Sequence, residues 1–138
     1  MRDLHLSHLA KSLGVDCQNG DAVLRGLAID SRAVKPGDLF VAIVGERVDG
    51  HDFIESALAN GAVAVACARP IDTPVPSIQI AAPNKVCASF GRLRRAYFGG
   101  VVIGITGSAG NTTAKSFLES ICSGAGSTVA TLGNQNKE

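Results

Sequence analysis

Aromatic side chains are scarce, at 4% of the 138 residues. With 46% hydrophobic residues overall, the core must be built from Ala, Val, Leu and Ile. Net charge is nearly absent as well. A formal +1 with 18% charged residues gives no electrostatic case for nucleic acid or an anionic membrane. No apolar run is long enough to span a bilayer, and Met1–His8 lacks the apolar stretch of a signal peptide. The expected compartment is therefore the cytosol. Cysteines are few and scattered. Cys17, Cys67, Cys87 and Cys122 form no C-x-x-C pair, and His5, His8 and His51 show no ligand spacing with them, so metal and disulfide readings lack support. Cys67 and Cys87 read as small buried hydrophobes. Repeats, low-complexity tracts and long linkers are missing too, and the length leaves room for one domain, or one small domain plus part of another.

What is present is organised around Val101–Lys115. Val101, Val102, Ile103 and Ile105 form a β-branched run suited to a buried parallel strand. Gly107, Ser108, Ala109 and Gly110 then allow a tight turn and close ligand approach. Asn111, Thr112 and Thr113 lead into a helix expected over Thr112–Cys122. A strand, a small-residue turn and a helix N-terminus together direct unpaired N–H groups and a positive dipole end at one spot. The match to the phosphate-binding form G-x-x-x-x-G-K-[ST] is partial. Ile105 stands where the first Gly is required, and Asn111 stands where the lysine is required. Asn donates hydrogen bonds but carries no charge. Losing one charge-assisted contact costs roughly 1.5–3 kcal/mol, and losing one preorganised donor to a reacting group costs about 10²–10³ in rate. Lys115 is a full turn too far along to substitute. An ordinary strand–helix connection is the competing reading of this loop. The Asn111-Thr112-Thr113 glycosylation pattern has no secretory context.

The rest of the chain alternates between helix and strand signals. Leu4, Leu6, Leu9, Ala10 and Leu13 predict an amphipathic helix stopped at Gly14. Asn19-Gly20 is a turn, and Val23–Ile29 reads as a strand that runs into Asp30-Ser31-Arg32. Polar residues at a strand end are where open α/β sheets place ligand contacts, although a plain polar turn fits the same spacing. Lys35-Pro-Gly-Asp38 fits a type II turn before the strand Leu39–Val44. A polar loop over Gly45–Asp52 precedes a helix that contains Phe53–Ala59, with Asp52 as its expected N-cap and Asn60-Gly61 as its stop. Ala62–Cys67 and Ser77–Ile80 read as strands, and a strand–helix–strand unit implies parallel pairing. Asn84–Phe98 reads as a helix with Val86, Phe90, Leu93 and Tyr97 on one side. Arg92, Arg94 and Arg95 lie mostly off that side, as a solvated face does. A last strand is expected near Ser127–Thr131. The fold class is α/β: a small α/β domain over residues 1–81, then the start of a P-loop parallel-sheet domain over 82–138 that is incomplete as it stands.

Several of these motifs fall in one order. Asp30-Ser-Arg, Pro36-Gly-Asp-Leu-Phe-Val-Ala42, Gly45-Glu-Arg-Val-Asp-Gly-His-Asp-Phe53, Gly61-Ala, Gly104-Ile-Thr-Gly-Ser-Ala-Gly-Asn-Thr-Thr113 and Gly133-Asn-Gln-Asn resemble the Mur ligases of peptidoglycan synthesis. The resemblance covers essentially the whole chain. It implies an ATP-dependent amide ligase acting on small molecules and, most closely, the member that joins D-alanyl-D-alanine to UDP-N-acetylmuramoyl-tripeptide through an acyl phosphate. The sister ligase that adds the third peptide residue shares part of the pattern. By resemblance, residues 1–81 bind the UDP-muramyl peptide, with Asp30, Ser31 and Arg32 near the uridine nucleotide. Gly107, Ser108, Ala109, Gly110, Asn111, Thr112 and Thr113 contact ATP, and Thr112 and Glu138 stand at the Mg²⁺. Lys137 departs from the family's Asn-Asn-acid pattern, as Asn111 departs from its loop lysine. Family members are much longer, so this polypeptide is expected to be an N-terminal portion, inactive by itself and without a complete catalytic set. A non-catalytic UDP-muramyl-peptide-binding module with a degenerate loop is the alternative.

Overall fold

The computed structural model describes residues 2–132 and divides into two compact units, Met1–Gly99 and Gly100–Glu138. In the first unit a short strand β1 (Leu4–His5) leads into helix α1 (Leu6–Leu13), which ends on left-handed Gly14. Strands β2 (Cys17–Gln18), β3 (Val23–Leu24), β4 (Gly26–Ala28) and β5 (Asp38–Val41) follow. Helix α2 (Ile54–Ala59), strands β6 (Ala64–Cys67) and β7 (Ser77–Gln79), and helix α3 (Asn84–Tyr97) complete it. β1 pairs with β3, and the main sheet runs β2-β7-β6-β5-β4. All its pairings are parallel except β2 with β7.

The middle strands β5 and β6 are buried at every position, as a parallel sheet covered on both faces requires. Alternation along them separates two cores. Leu39, Val41, Ala64 and Ala66 pack with Leu6, Leu9 and Val86 of α1 and α3. Phe40, Ala42 and Val65 pack with Ile54 and Ala57 of α2. Phe40 is the only fully buried aromatic among the described residues, so small aliphatic side chains do fill most of the interior. The expected Lys35–Asp38 turn forms, with the Asp38 N–H donating to the Lys35 carbonyl at 3.1 Å. Gly61 adopts φ +106°, and a Cβ there would lie 2.7 Å from Pro36 Cα, so glycine is needed twice over.

Some expectations are corrected. The Val23–Ile29 strand is two pieces interrupted at Arg25, whose N–H is taken by the Gly37 carbonyl at 2.9 Å. Asp52 does not cap α2. A 3₁₀ turn, Gly50–Phe53, runs directly into that helix, and Asp49 caps the turn instead. Helix α3 packs its Val86 into the core of the first unit, which extends to Gly99 and thus past residue 81. Of the arginines on α3, Arg92 Nη2 donates to Ser89 Oγ at 3.0 Å and Arg94 donates to the Arg25 carbonyl.

In the second unit, helix α4 (Asn111–Ala125) forms over and beyond its expected span. Neither Val101–Ile105 nor Ser127–Thr131 is a strand, and Val101 is 86% exposed. The physical reason is pairing: β-branched residues favour extended backbone, but a strand needs a ladder partner, and the second unit has none among the described residues. Glu138 and Gly133-Asn-Gln-Asn lie outside the described residues.

Candidate functional site

At the carboxyl edge of the parallel strands, β4 runs into Asp30 and a 3₁₀ turn, Ser31–Ala33. Asp30 Oδ1 accepts from the Arg32 N–H at 2.9 Å and from Arg32 Nε at 3.0 Å, and Oδ2 accepts from Nη2 at 2.7 Å. One aspartate therefore caps the turn and holds a guanidinium that is 87% exposed. Nη1 has no partner among the described residues and is free to donate outward. Ser31 is buried, and its carbonyl accepts from Asn60 Nδ2 at 2.8 Å, which ties the turn to the end of α2. The structure thus brings Asp30, Ser31 and Arg32 into one hydrogen-bonded turn.

The neighbouring strand β5 ends in a small hairpin. The Gly50 N–H donates to the Ile43 carbonyl at 2.8 Å, Val44 bridges Asp49, and the Gly45 N–H donates to the Val48 carbonyl at 2.9 Å. Ile29, Val44 and Val48 are exposed at this edge, where parallel sheets carry ligands. At the base of the hairpin, Asp49 Oδ1 accepts from the His51 N–H at 2.9 Å and from His51 Nδ1 at 2.7 Å. Asp49 Oδ2 accepts from Arg69 Nη1 at 2.7 Å, and His51 Nε2 accepts from the Ala68 N–H at 3.0 Å. Because Nε2 is an acceptor, the imidazole carries its proton on Nδ1. His51 is therefore a satisfied buried histidine. Its link to Asp49 and Arg69 was not foreseen from spacing, and the Asp-Gly-His turn was the one available signal. Beside it opens a cleft of about 340 Å³ lined by His51, Asp52, Ile54, Glu55, Arg69, Ile71 and Asp72.

Two carboxylates at this edge titrate below their usual range. Arg32 holds Asp30 down to about 2, mainly through its side-chain hydrogen bonds. Asp49 is held well down by the His51 N–H first, then by Arg69 and the His51 ring. A depressed carboxylate stabilises the fold above its unfolded pKa, and that contribution is lost as the pH falls through the folded value. We expect the melting temperature of wild type to exceed that of Asp49→Asn above about pH 5, with the gap closing toward pH 2. A pH-independent gap would refute this.

In the second unit, Gly110 sits at φ +77° and opens α4, and no side chain caps the helix. Its first intrahelical bond is from the Ala114 N–H to the Gly110 carbonyl at 2.9 Å, so the amides of Asn111, Thr112 and Thr113 precede the ladder. That arrangement fits a phosphate group. Asn111 Nδ2 donates instead to the Gly107 carbonyl at 2.9 Å, which closes the loop upon itself. Lys115 Nζ donates to the Thr131 carbonyl at 2.7 Å, a role away from the loop. No cluster of three metal-ligating His, Cys, Asp or Glu occurs among the described residues.

A covered, mostly parallel sheet with polar turns at its carboxyl edge makes the first unit an α/β structure. The profile of the Mur ligase family, catalytic domain, matches residues 23–98. The chain belongs to that family. It is 35% identical over all 138 residues to UDP-N-acetylmuramoyl-tripeptide–D-alanyl-D-alanine ligase of Escherichia coli K12, covering 30% of that protein. It is 37% identical to UDP-N-acetylmuramoyl-L-alanyl-D-glutamate–2,6-diaminopimelate ligase of Syntrophomonas wolfei, with 94% of this chain and 28% of that protein covered. Among solved structures, UDP-N-acetylmuramoylalanyl-D-glutamyl-2,6-diaminopimelate–D-alanyl-D-alanyl ligase from Acinetobacter baumannii superposes with a TM-score of 0.76 at 30% identity, over 99% of this chain and 31% of that one. MurF ligase from Thermotoga maritima in complex with ADP superposes with a TM-score of 0.63 at 38% identity, over 81% of this chain and 26% of that one. The chain thus spans under a third of the length of these relatives. The α/β class read from the sequence agrees with these neighbours. No described helix is long and apolar enough to cross a membrane.

Proposed function

We propose that this chain supplies the nucleotide-recognition part of a cytoplasmic, ATP-dependent amide ligase of peptidoglycan precursor synthesis, one that joins D-alanyl-D-alanine to UDP-N-acetylmuramoyl-tripeptide. The observation that carries the reading is the full-chain similarity to the Escherichia coli ligase, combined with the polar turn at the sheet's carboxyl edge. In this reading the first unit, Met1–Gly99, takes the UDP-muramyl peptide, with Asp30, Ser31 and Arg32 at the nucleotide. The second unit, Gly100–Glu138, takes ATP, with Gly107–Thr113 at the phosphates and with Thr112 and Glu138 at Mg²⁺. The ADP-bound Thermotoga relative supports the nucleotide assignment. The substrate carboxylate accepts the γ-phosphoryl group, and the amine of D-alanyl-D-alanine displaces it, yielding an amide, ADP and phosphate. Asn111, bonded within its own loop, favours a second reading in which this chain binds UDP-muramyl peptide without ATP chemistry.

Calorimetric titration with UDP-N-acetylmuramoyl-tripeptide tests the proposal. Wild type should bind, and Arg32→Ala should weaken binding by roughly tenfold through loss of a charge-assisted contact to the diphosphate. Absence of binding, or indifference to Arg32→Ala, would sink the substrate assignment. Saturable ATP binding that displaces no UDP compound supports the ligase reading over the second one.

A further inference from the structure

The Val44–Asp49 hairpin is held more firmly than a surface loop requires. Its base is closed by the Gly50 N–H to the Ile43 carbonyl, and a Cβ at Gly50 would lie 2.7 Å from Ile43 N and 2.8 Å from Ile43 O. The two backbones meet there with no room for a side chain. A second tie crosses the sheet edge. The His51 side chain is only 3% exposed and spans from Asp49 to the backbone N–H of Ala68, just after β6. Arg69, from that same segment, reaches back to the other oxygen of Asp49. Both Asp49 oxygens and both His51 ring nitrogens are thereby used, and together they join the hairpin base to the end of the next strand.

The Arg69–Asp49 pair by itself adds little to stability. Arg69 is about half exposed, and exposed ion pairs contribute about 0–1 kcal/mol. What the tie does fix is the base of a hairpin that follows β5 at the edge where its parallel neighbour β4 runs into Asp30–Arg32, with Val44 and Val48 exposed on it. We infer that Asp49, His51 and Arg69 form a positioning network. It presets the Val44–Asp49 hairpin as one wall of the nucleotide site, so that affinity depends on residues that need not touch the ligand. The inference rests on the proposed uridine-nucleotide reading of this edge. Preset walls lower the ordering cost of binding, and small misplacements are expensive.

The experiment uses the full 138-residue chain, with uridine diphosphate as the probe. Long-range ¹H–¹⁵N spectra should show His51 protonated on Nδ1 and bare on Nε2; the opposite tautomer overturns the network. Arg69→Met keeps the aliphatic stem and removes the charge. It should weaken uridine diphosphate binding by about tenfold, while the melting temperature moves by less than about 5 °C. Amide exchange over residues 45–48 should also quicken. Arg69→Lys should restore most of the affinity, because the contact is a single Nη1–Oδ2 bond that an ammonium can replace. A merely structural role would lower stability and affinity together, with no such separation. If wild type binds and Arg69→Met binds equally well, the positioning role falls while the functional reading stands. If wild type does not bind uridine diphosphate, the reading of the edge falls and takes this inference with it.

Discussion

Replacing Asn111 with lysine is expected to strengthen ATP binding by this chain roughly ten- to a hundredfold. The loop already has the backbone parts of a phosphate site: Gly110 in the left-handed region, a 15-residue helix behind it, and leading amides with no side-chain cap. What it lacks is a full positive charge. Asn111 offers a neutral carboxamide, and that group is committed to the Gly107 carbonyl at 2.9 Å. An ammonium at the same position adds a charge-assisted contact to the β- and γ-phosphates and frees the Gly107 carbonyl. Because the loop is exposed, the gain is Coulombic in part and should shrink with added salt. Titration of both proteins with ATP at low salt and at about 0.5 M salt checks this. Equal affinities at low salt would mean that the loop is an ordinary connection between elements, the reading with which it competes.

The same substitution separates the two functional readings. If lysine restores tight ATP binding, the rest of the loop has kept its nucleotide geometry and only the charge has been lost. If it does not, the departure from the family pattern extends beyond one residue, and the non-catalytic reading is strengthened. Removing the Asn111–Gly107 bond has its own cost, since that exposed hydrogen bond closes the loop without ligand. It is worth about 1 kcal/mol, less than the charge-assisted phosphate bond that lysine would supply.

How far the sequence was legible depended on whether a signal was local. The strands expected over Leu39–Val44 and Ala62–Cys67 form as Asp38–Val41 and Ala64–Cys67, and their cores were legible because strands buried on both faces need unbroken apolar runs. The Pro36-Gly37 turn and the Gly14 stop were legible because each has its own backbone chemistry. Val101–Ile105 misled because β-branching reports a preference for extended backbone and says nothing of whether a neighbouring strand is there to pair. Asp52 misled for a related reason. Either acid of Asp49-Gly-His-Asp52 suits a cap, and the 3₁₀ turn that decides between them is set by how Gly50 meets Ile43. Within the candidate site, Asp30-Ser31-Arg32 was legible as one contiguous motif. The Asp49–His51–Arg69 network was not, because its members sit in two loops that become neighbours only when β5 and β6 pair.

Phe40→Ala should cost about 3–5 kcal/mol of folding stability, a large share of the roughly 5–15 kcal/mol typical of a domain. Phe40 lies on the interior strand β5, in register with Ala28 on β4 and Val65 on β6. Its ring fills the core on the α2 face together with Ala28, Val34, Ala42, Ile54, Ala57 and Ala62. Alanines predominate among these neighbours, and they have no side-chain length with which to close a cavity. The site should therefore relax poorly, toward the costly end of such substitutions. The opposite core should tolerate truncation better. Val41→Ala removes less volume there, and longer side chains such as Leu6, Leu9 and Leu39 can lean in. Urea unfolding of the two variants measures the difference. A Phe40→Ala loss below about 1 kcal/mol, or one no larger than that of Val41→Ala, would mean that the α2 face is not close-packed. The same face supports α2, whose end holds the Ser31 turn through Asn60, so Phe40→Ala should also loosen Arg32 and weaken binding at the sheet edge even where the chain remains folded.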